Sequence, residues 1–371
     1  MLVSASAASL VTAQPFNADS KASWQLDAIY AEESAGQGLP VLALDRSDWP
    51  SYRSSPPIDS RAWRSIRAEL GATHGSGWRV GAVARSEIWL DANADAVSLA
   101  ALDATRSDPD VARNYTPNAR SQGWQGVGMM VGTPWFKLDD SGLWRLQGNA
   151  GLLQLRQLKT VQVDGSVVYQ GGSTYEFDLR SQRANTDISG PFLGASGASG
   201  LGATLSLALL GQPAPGWNIQ LRADDLASQL FWSDLATDTN ALNSQVISRS
   251  PDGTLEYAPL LKGQKALVQT KRQIGVNWQG RVAWSAFEQQ GQLGAATLRA
   301  SRKAGINQLW LGWDSGDAGR TKPHWRLEFE PAMSAVKAEL IWGGWQISVA
   351  SDGKGLDTQY RQLSLGWQSD F

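Results

Sequence analysis

A two-faced alternation of apolar and polar residues recurs in short segments along most of this chain. One segment near the C-terminal end places Trp325, Leu327 and Phe329 on one face and Arg326, Glu328 and Glu330 on the other. Strict alternation of this kind predicts a half-buried β-strand, because successive side chains in a strand point to opposite faces. Short turns rich in Gly or Pro separate the segments and predict antiparallel hairpins, and Asp164-Gly165 is a two-residue hairpin signal of this kind. The pattern therefore predicts an all-β chain with about sixteen antiparallel strands (range ~14–18) between residues 22 and 371.

The apolar face of these strands is the feature that separates a membrane protein from a soluble one. An up-and-down barrel of about sixteen strands has an interior too wide for apolar side chains to fill. The apolar faces are therefore expected to point outward, toward lipid. Trp recurs at segment ends, as expected for a girdle at the membrane interface: Trp24, Trp78, Trp144, Trp217, Trp325 and Trp345. The alternative is a soluble β-sandwich or propeller, but no blade-like repeat is present.

The last stretch, residues 359–371, shows the alternation in a form that suggests a family. Leu363, Leu365 and Trp367 share one face, polar residues occupy the other, and the sequence stops at Phe371. This stretch resembles the closing strand of bacterial outer-membrane β-barrels. The resemblance implies an integral outer-membrane protein of a Gram-negative cell envelope, with both ends of the barrel wall on the periplasmic side. It also implies that Leu363, Leu365, Trp367 and Phe371 form a signal read by the barrel-insertion machinery. Outer-membrane lipid and lipopolysaccharide are the other expected partners.

Composition is compatible with this fold and excludes some other classes. Lys and Arg number 33 and Asp and Glu 35, so no basic excess favours nucleic acid as a partner. The chain has no Cys and therefore no disulfide or thiolate metal site. The chain contains no run of eighteen apolar residues, so no transmembrane helix is predicted. The mean hydropathy of -0.29 still fits a membrane barrel, whose strands face lipid only at every second residue.

The pattern divides the chain into an N-terminal segment and one barrel. Residues 1–21 are small and apolar and predict the remnant of an export signal peptide, with cleavage after Ala13, or a disordered N-terminus. Residues 22–371 form the barrel, with long loops at 33–61, 91–120 and 227–266 and a short helix over 94–105.

The strand count also predicts at which end of the barrel each long segment lies. If the first strand runs outward, 181–200 and 227–266 fall on the periplasmic side, where turns are normally short. They would then form an inward plug or a contact with a periplasmic or envelope protein, unless a strand has been miscounted.

Catalytic chemistry has little support in the sequence. The chain has two histidines, His74 and His324. His74 lies in a tight turn with Ser76, which fits a turn residue better than a general base. His324 precedes Trp325 at the start of a strand and fits an interface position. No cofactor or metal site is expected, and an outer-membrane barrel enzyme is the third choice of function.

The predicted inward face carries charges of both signs, and its residues are the candidate pore lining. They are Arg79, Arg85, Glu87, Arg145, Glu176, Asp178, Arg180, Arg222, Asp224, Arg281, Glu328 and Glu330. A pore that selects ions by charge uses a ring of one sign. A mixed lining predicts a weakly selective aqueous pore or a network of ion pairs that fills the barrel. The predicted function is a channel for passive diffusion or export of a polar solute or polymer. The alternative is a structural anchor or an accessory subunit of a secretion or surface-assembly system.

Overall fold

The fold is a closed antiparallel β-barrel in the computed structural model of the 371-residue chain. The structure describes residues 6–7, 10–11, 24–41, 58–105, 107–171, 174–186, 198–244, 246–249, 255–257, 261–285, 294–315 and 323–370. Most of the predicted signal remnant at 1–21 lies outside these residues. Phe371 also lies outside them. Within them, no helix has the length and apolar composition needed to cross a membrane.

Fourteen strands of the described residues form the wall, each paired with the next in the chain, and β14 pairs with β1. They are β1 Trp24–Gln37, β2 Ser60–His74, β3 Arg79–Ala92, β4 Asn118–Gly132, β5 Trp144–Gly171, β6 Thr174–Asn185 with Ser199–Gly211, β7 Trp217–Asn243, β8 Leu261–Arg272 with Asn277–Trp284, β9 Ala295–Lys303, β10 Ile306–Asp314, β11 His324–Glu330, β12 Ala335–Trp342, β13 Trp345–Ser351 and β14 Tyr360–Asp370. The strand number is the lower end of the predicted range, and the predicted all-β barrel is confirmed.

The strands of the wall differ greatly in length. β5 has 28 residues and β7 has 27, whereas β9 to β14 have between 7 and 11. At ~3.3 Å per residue, the long strands extend on the order of 90 Å and the short ones roughly 25–35 Å. We call β5–β8 the tall wall and β9–β14 the short wall. The tall wall rises above the short wall at the end of the barrel opposite to the start of β1 and the end of β14.

The tall wall explains why the sequence predicted too many strands. Asp164-Gly165 was expected to form a hairpin turn, and this prediction is wrong. Both residues lie inside β5, where Asp164 pairs with Arg180 and Gly165 with Leu179. Two strands are also interrupted: β6 resumes at Ser199 and β8 at Asn277. Both segments of β6 pair with β5 and β7, both segments of β8 pair with β7, and the Asn277–Trp284 segment also pairs with β9. A count based on interruptions therefore divides single wall strands in two.

Two of the predicted loops change position as a result. Residues 227–243 belong to β7 and 261–266 to β8, so the connection there shrinks to 244–260 and contains the paired strands Val246–Arg249 and Leu255–Tyr257. This connection lies at the same end as 38–59 and 93–117, opposite to the start of β1. The periplasmic position predicted for 227–266 is therefore wrong, because 227–243 and 261–266 lie in wall strands. The described ends of 181–200 lie in the two segments of β6, which pair with adjacent stretches of β5 midway along that strand, so a miscounted strand explains this prediction as well.

The remaining connections match the predictions from the sequence more closely. The predicted helix is confirmed as α1, Ala94–Thr105, which begins where the Asn93 side chain accepts a hydrogen bond from the backbone N–H of Ala96 at 3.0 Å. Short strands Arg113–Tyr115 and Phe136–Lys137 pair with β5, and a 3₁₀ turn spans Gly355–Asp357.

The outer face of the short wall is apolar, and its inner face is polar. In β11 the residues from His324 to Glu330 alternate between buried charged or polar side chains and exposed apolar ones. Exposed apolar residues continue around the short wall: Leu298, Leu309, Leu311, Trp313, Trp325, Leu327, Phe329, Val336, Leu340, Trp342, Trp345, Ile347, Val349, Leu363 and Leu365. A soluble protein rarely exposes so large a contiguous apolar surface, so this face is suited to lipid.

Tryptophan marks one edge of this apolar belt. Ten Trp lie at strand ends on the side of the barrel where β1 starts and β14 ends: Trp24, Trp78, Trp144, Trp217, Trp284, Trp313, Trp325, Trp342, Trp345 and Trp367. Trp345 and Trp367 are neighbours, with ring centroids 6.5 Å apart. This ring is the girdle expected at a membrane–water interface.

Candidate functional site: the charged lumen

Ion pairs cross the barrel interior between strands that are not neighbours. The guanidinium of Arg85 on β3 donates two hydrogen bonds of 2.7 Å to the carboxylate of Asp225 on β7. Its Nη2 also contacts Glu87, and its Cζ lies 5.2 Å from the ring centroid of Trp124. Since β3 and β7 are separated by three strands in the wall, this contact must pass through the lumen.

A bulge in β7 makes this contact possible. Asp225 has a φ of +56°, and the register with β6 shifts between Leu205 and Leu207. Consecutive strand residues normally point to opposite faces, but here Asp224 and Asp225 both carry their carboxylates inward. Asp224 accepts from Arg222 at 2.7 Å and lies 3.9 Å from Arg67 on β2. A left-handed conformation at a non-Gly residue is a small conformational cost that this site tolerates.

A second group of charges joins β1, β2 and β3. Arg79 donates to the carboxylates of Asp27 and Glu69, the latter at 3.1 Å. Glu69 is also paired with Arg67, and Arg79 Nη1 lies 3.3 Å from the sulfur of Met130. Asp27, Glu69 and Arg79 are almost completely buried, so these charges are paired as buried charges must be.

The short wall holds the densest group of charges, centred on Asp314 at the end of β10. Its Oδ2 accepts from Arg281 at 2.6 Å and from Arg326 at 2.7 Å, and its Oδ1 lies 3.2 Å from His324 Nε2. Arg326 also reaches Glu339 at 3.3 Å. Every side chain in this group is at most 9% exposed.

Glu328 extends the same network along β11. Its Oε2 lies 2.9 Å from Arg299 Nη2 on β9 and 3.8 Å from Lys337 Nζ on β12. Arg299 also stacks over Trp310, with its Cζ 4.7 Å from the ring centroid. Trp310 on β10 in turn packs edge-on against Tyr360 on β14 at 5.0 Å, another contact between non-neighbouring strands. The interior beside the short wall is thus filled by paired charges and two aromatic rings.

A cavity lies between these groups, near the level of Arg85. About 70 Å³ of it is accessible to water, which is room for on the order of five water molecules. Its charged lining is balanced, with four carboxylates and four cations: Glu33, Glu87, Asp224, Asp225, Arg67, Arg85, Arg299 and Lys303.

The structure brings together most of the predicted lining residues. Seven of the twelve face the lumen in these groups: Arg79, Arg85, Glu87, Arg222, Asp224, Arg281 and Glu328. Glu330 is also buried on the inner face, where it accepts a hydrogen bond from the backbone N–H of Met333. The other four lie elsewhere. Arg145 is half-buried at the lower rim and donates to the carbonyl of Gly142 at 3.2 Å. Glu176, Asp178 and Arg180 lie in the upper segment of β6, where Glu176 and Arg180 are exposed.

Several lumen residues were missed by the sequence argument. Lys337 and Glu339 alternate with apolar residues on β12, so the pattern could have found them, and the same holds for Asp27 and Asp314. Asp225 could not have been found in this way. Strict alternation places it on the outer face, and only the bulge turns it inward.

The interior of the tall wall is different and apolar. Leu153, Leu155 and Leu158 of β5 are at most 3% exposed and pack with Leu230, Trp232 and Leu235 of β7. Val83, Trp124, Met130, Ala184 and Ile274 complete this apolar cluster. The lumen therefore has a charged side and an apolar side.

The two histidines are in contrasting positions. His74 Nδ1 lies 2.7 Å from Ser76 Oγ and accepts from the Ser76 backbone N–H at 3.2 Å, within the exposed turn between β2 and β3. His324 was expected at the membrane interface, and this prediction is wrong. It is 1% exposed and points inward to Asp314, because it starts β11 in the same phase as Arg326.

Closed wall, apolar outer belt, Trp girdle and charged interior together define a membrane-spanning β-barrel protein of the outer-membrane class. Comparisons with known proteins are sparse beyond this class. No protein-family model matches the chain, and no curated protein matches it.

Solved structures similar to this chain include two channels and a transporter. One is described as "TodX deltaS2S3 mutant monoaromatic hydrocarbon channel", with 9% identity, 96% of this chain and 92% of that chain covered, and a TM-score of 0.42. The CymD monoaromatic hydrocarbon channel is 9% identical over 95% of this chain and 90% of its own, with a TM-score of 0.31. The FrpB iron transporter from Neisseria meningitidis is 8% identical over 96% and 82%, with a TM-score of 0.24. At these values the similarity supports no conclusion about a solute.

Proposed function

We propose that this protein is an outer-membrane channel for small polar solutes. The observation that carries the proposal is the water-accessible cavity at the Arg85–Asp225 pair, lined by equal numbers of carboxylates and cations. A lining of mixed sign solvates a polar solute without strong selection for one charge. The narrow, side-chain-filled lumen favours a small solute over a polymer. The end with the Trp girdle and short turns faces the periplasm, and the long loops face outward.

The Arg85–Asp225 pair crosses the lumen, and it is the contact at which the proposal is tested. Removing both partners in R85A/D225A avoids leaving the buried Asp225 carboxylate without its cation and takes two side chains out of the lumen. We expect single-channel conductance in planar bilayers to rise at least twofold over the unmodified protein. The matched control is R113A/D95A, which removes an Arg–Asp pair of 2.8 Å at the exposed end of α1 and should leave conductance unchanged.

A structural role as an envelope anchor is the alternative function. Its support in the sequence is the long segments at 181–200 and 227–266, and this support is weaker because 227–243 and 261–266 are strands of the wall. If well-folded protein conducts in neither the unmodified form nor R85A/D225A, the channel proposal is refuted and the anchor is favoured. Heat-modifiable migration on a gel verifies folding in each case.

A further inference from the structure

We propose that the outer face of the tall wall binds the phosphate groups of the glycolipid in the outer leaflet. Five exposed cations form this surface, which we call the basic patch: Arg156, Lys159, Arg183, Lys265 and Lys271. They come from β5, β6 and β8, so only the folded wall brings them together. The inference depends on the outer-membrane location and orientation given above, and is independent of conduction.

The burial pattern shows that these side chains point outward. On β5, Leu152 is 71% exposed, whereas Leu153 and Leu155 are buried, which places Gln154 and Arg156 on the outer face. Farther along the strand, buried Leu158 is followed by exposed Lys159.

The same reasoning applies to β6 and β8. Arg183 precedes Ala184, which is buried in the interior apolar cluster, so Arg183 faces outward. Arg183 pairs in register with Asp238 of β7, and Asp238 pairs with Lys265 of β8, so these residues form one outward row.

The patch begins where the apolar belt ends. Gln154, Leu201, Phe231 and Lys271 are consecutive partners across β5 to β8 and form a single row. Leu201 is 70% exposed and Phe231 is 47% exposed. In the same row, Lys271 Nζ lies 5.3 Å from the ring centroid of Phe231. A cation that packs on an exposed aromatic ring in this way is placed at the boundary between hydrocarbon and head groups.

From this row the patch rises to the row of Lys265, six residues farther along β8. At ~3.3 Å per residue and roughly 4.8 Å between strands, it covers about 20 Å by 14 Å. That area matches a phosphorylated sugar head group and lies just outside the lipid-facing belt. A soluble partner would not need cations in this position relative to the membrane.

The charge balance of the patch is positive. The carboxylates on the same stretch of wall are Asp234 and Asp238, so five cations face two anions. Among the described residues these five cations form no ion pair, in contrast to the paired charges of the lumen. Each basic side chain near an anionic membrane surface contributes attraction of its own, and several together bind a multiply charged head group.

The proposal is tested with purified protein in neutral-detergent micelles and diphosphorylated lipid A as the probe. The variant R156Q/K159Q/R183Q/K265Q/K271Q removes the patch while keeping side chains of similar length. We expect its binding to diphosphorylated lipid A to be at least tenfold weaker than that of the unmodified protein. Dephosphorylated lipid A should bind both proteins equally weakly.

A matched control removes the same charge from exposed positions outside the patch, in K137Q/R113Q/R180Q/K262Q/K354Q. It should keep the affinity of the unmodified protein. Equal weakening of both variants would show general electrostatic attraction, and unchanged binding in the patch variant would show no role for it; either result overturns the proposal. So would inorganic phosphate at millimolar concentration competing fully with lipid A, since that identifies a free-anion site. Unchanged conductance of the patch variant separates this test from that of the channel.

Discussion

The short and tall walls both alternate apolar and polar residues, but the short wall turns its polar face inward and the upper tall wall its apolar face. In the short wall, the interior holds Arg326 and Glu328, and the exterior holds Leu327 and Phe329. In the upper tall wall, the interior holds Leu155 and Leu158, and the exterior holds Arg156 and Lys159. The difference shows that the solvent on each side decides which face is apolar. Inside lipid the apolar face turns outward, and just above the belt, at Leu155 and Leu158, it turns inward as in a soluble sheet. Higher still, Phe177 and Leu179 are apolar in the outward phase, where they pack in a cluster with residues of α1.

The largest effect should come from removing a charge on which the short wall depends. Asp314→Ala leaves Arg281 and Arg326 without their shared carboxylate in a buried setting, and breaking such a group costs about 4 kcal/mol. Denaturant unfolding in micelles should show this loss, whereas D140A at an exposed turn should change stability by less than about 0.5 kcal/mol. A loss below about 1 kcal/mol for D314A would mean that the lumen charges are solvated rather than mutually stabilising.

The second prediction tests the interior of the tall wall with two adjacent leucines. Leu153→Ala removes a side chain that is 2% exposed in the apolar cluster and should destabilise by about 3 kcal/mol. Leu152→Ala, on the outer face and 71% exposed, should cost less than about 1 kcal/mol because it leaves no cavity. Equal costs for the two substitutions would contradict the assigned faces of β5.

The third and smallest effect concerns an added charge on the outer face. Leu327→Arg places a cation at the middle of β11, where the side chain faces lipid, and should destabilise by about 2 kcal/mol in phospholipid vesicles. Gln154→Arg makes the same addition two residues above Leu152 in the tall wall, in the boundary row that already holds Lys271, and should be nearly neutral. A neutral L327R would place the apolar belt elsewhere.

The barrel class could be predicted from the sequence because alternation and Trp positions are local signals. The strand number could not be predicted as closely. Asp164-Gly165 has the residue preference of a tight turn, yet β5 continues through it because its neighbours pair on both sides. Alternation also does not state how high along the barrel a residue lies. Glu176 and Arg180 share the inward phase of Ala184, but they lie in the upper β6 segment, above the level of the short wall.

The lumen site was predictable only in part for a related reason. Arg281 and Glu328 follow the alternating phase and were predicted correctly to lie on the inner face. The pairing of Arg85 with Asp225 could not be predicted, because it joins strands far apart in the sequence and a local pattern carries no information about such contacts. The Leu363, Leu365 and Trp367 face of β14 lies in the strand that closes the barrel against β1. Its role in insertion remains a prediction.

The left-handed conformation of Asp225 affects how many side chains one strand can direct into the lumen. A regular strand supplies its interior with one side chain every two residues, or about one per 7 Å. At the bulge, β7 instead places two consecutive carboxylates in the lumen at one level. Asp224 lies near Arg67 of β2, and Asp225 pairs with Arg85 of β3. The cross-section at this level is therefore fixed by backbone shape as well as by side-chain identity. An insertion or deletion of one residue between the start of β7 and Asp225 would rotate the pair out of the lumen while leaving its sequence intact.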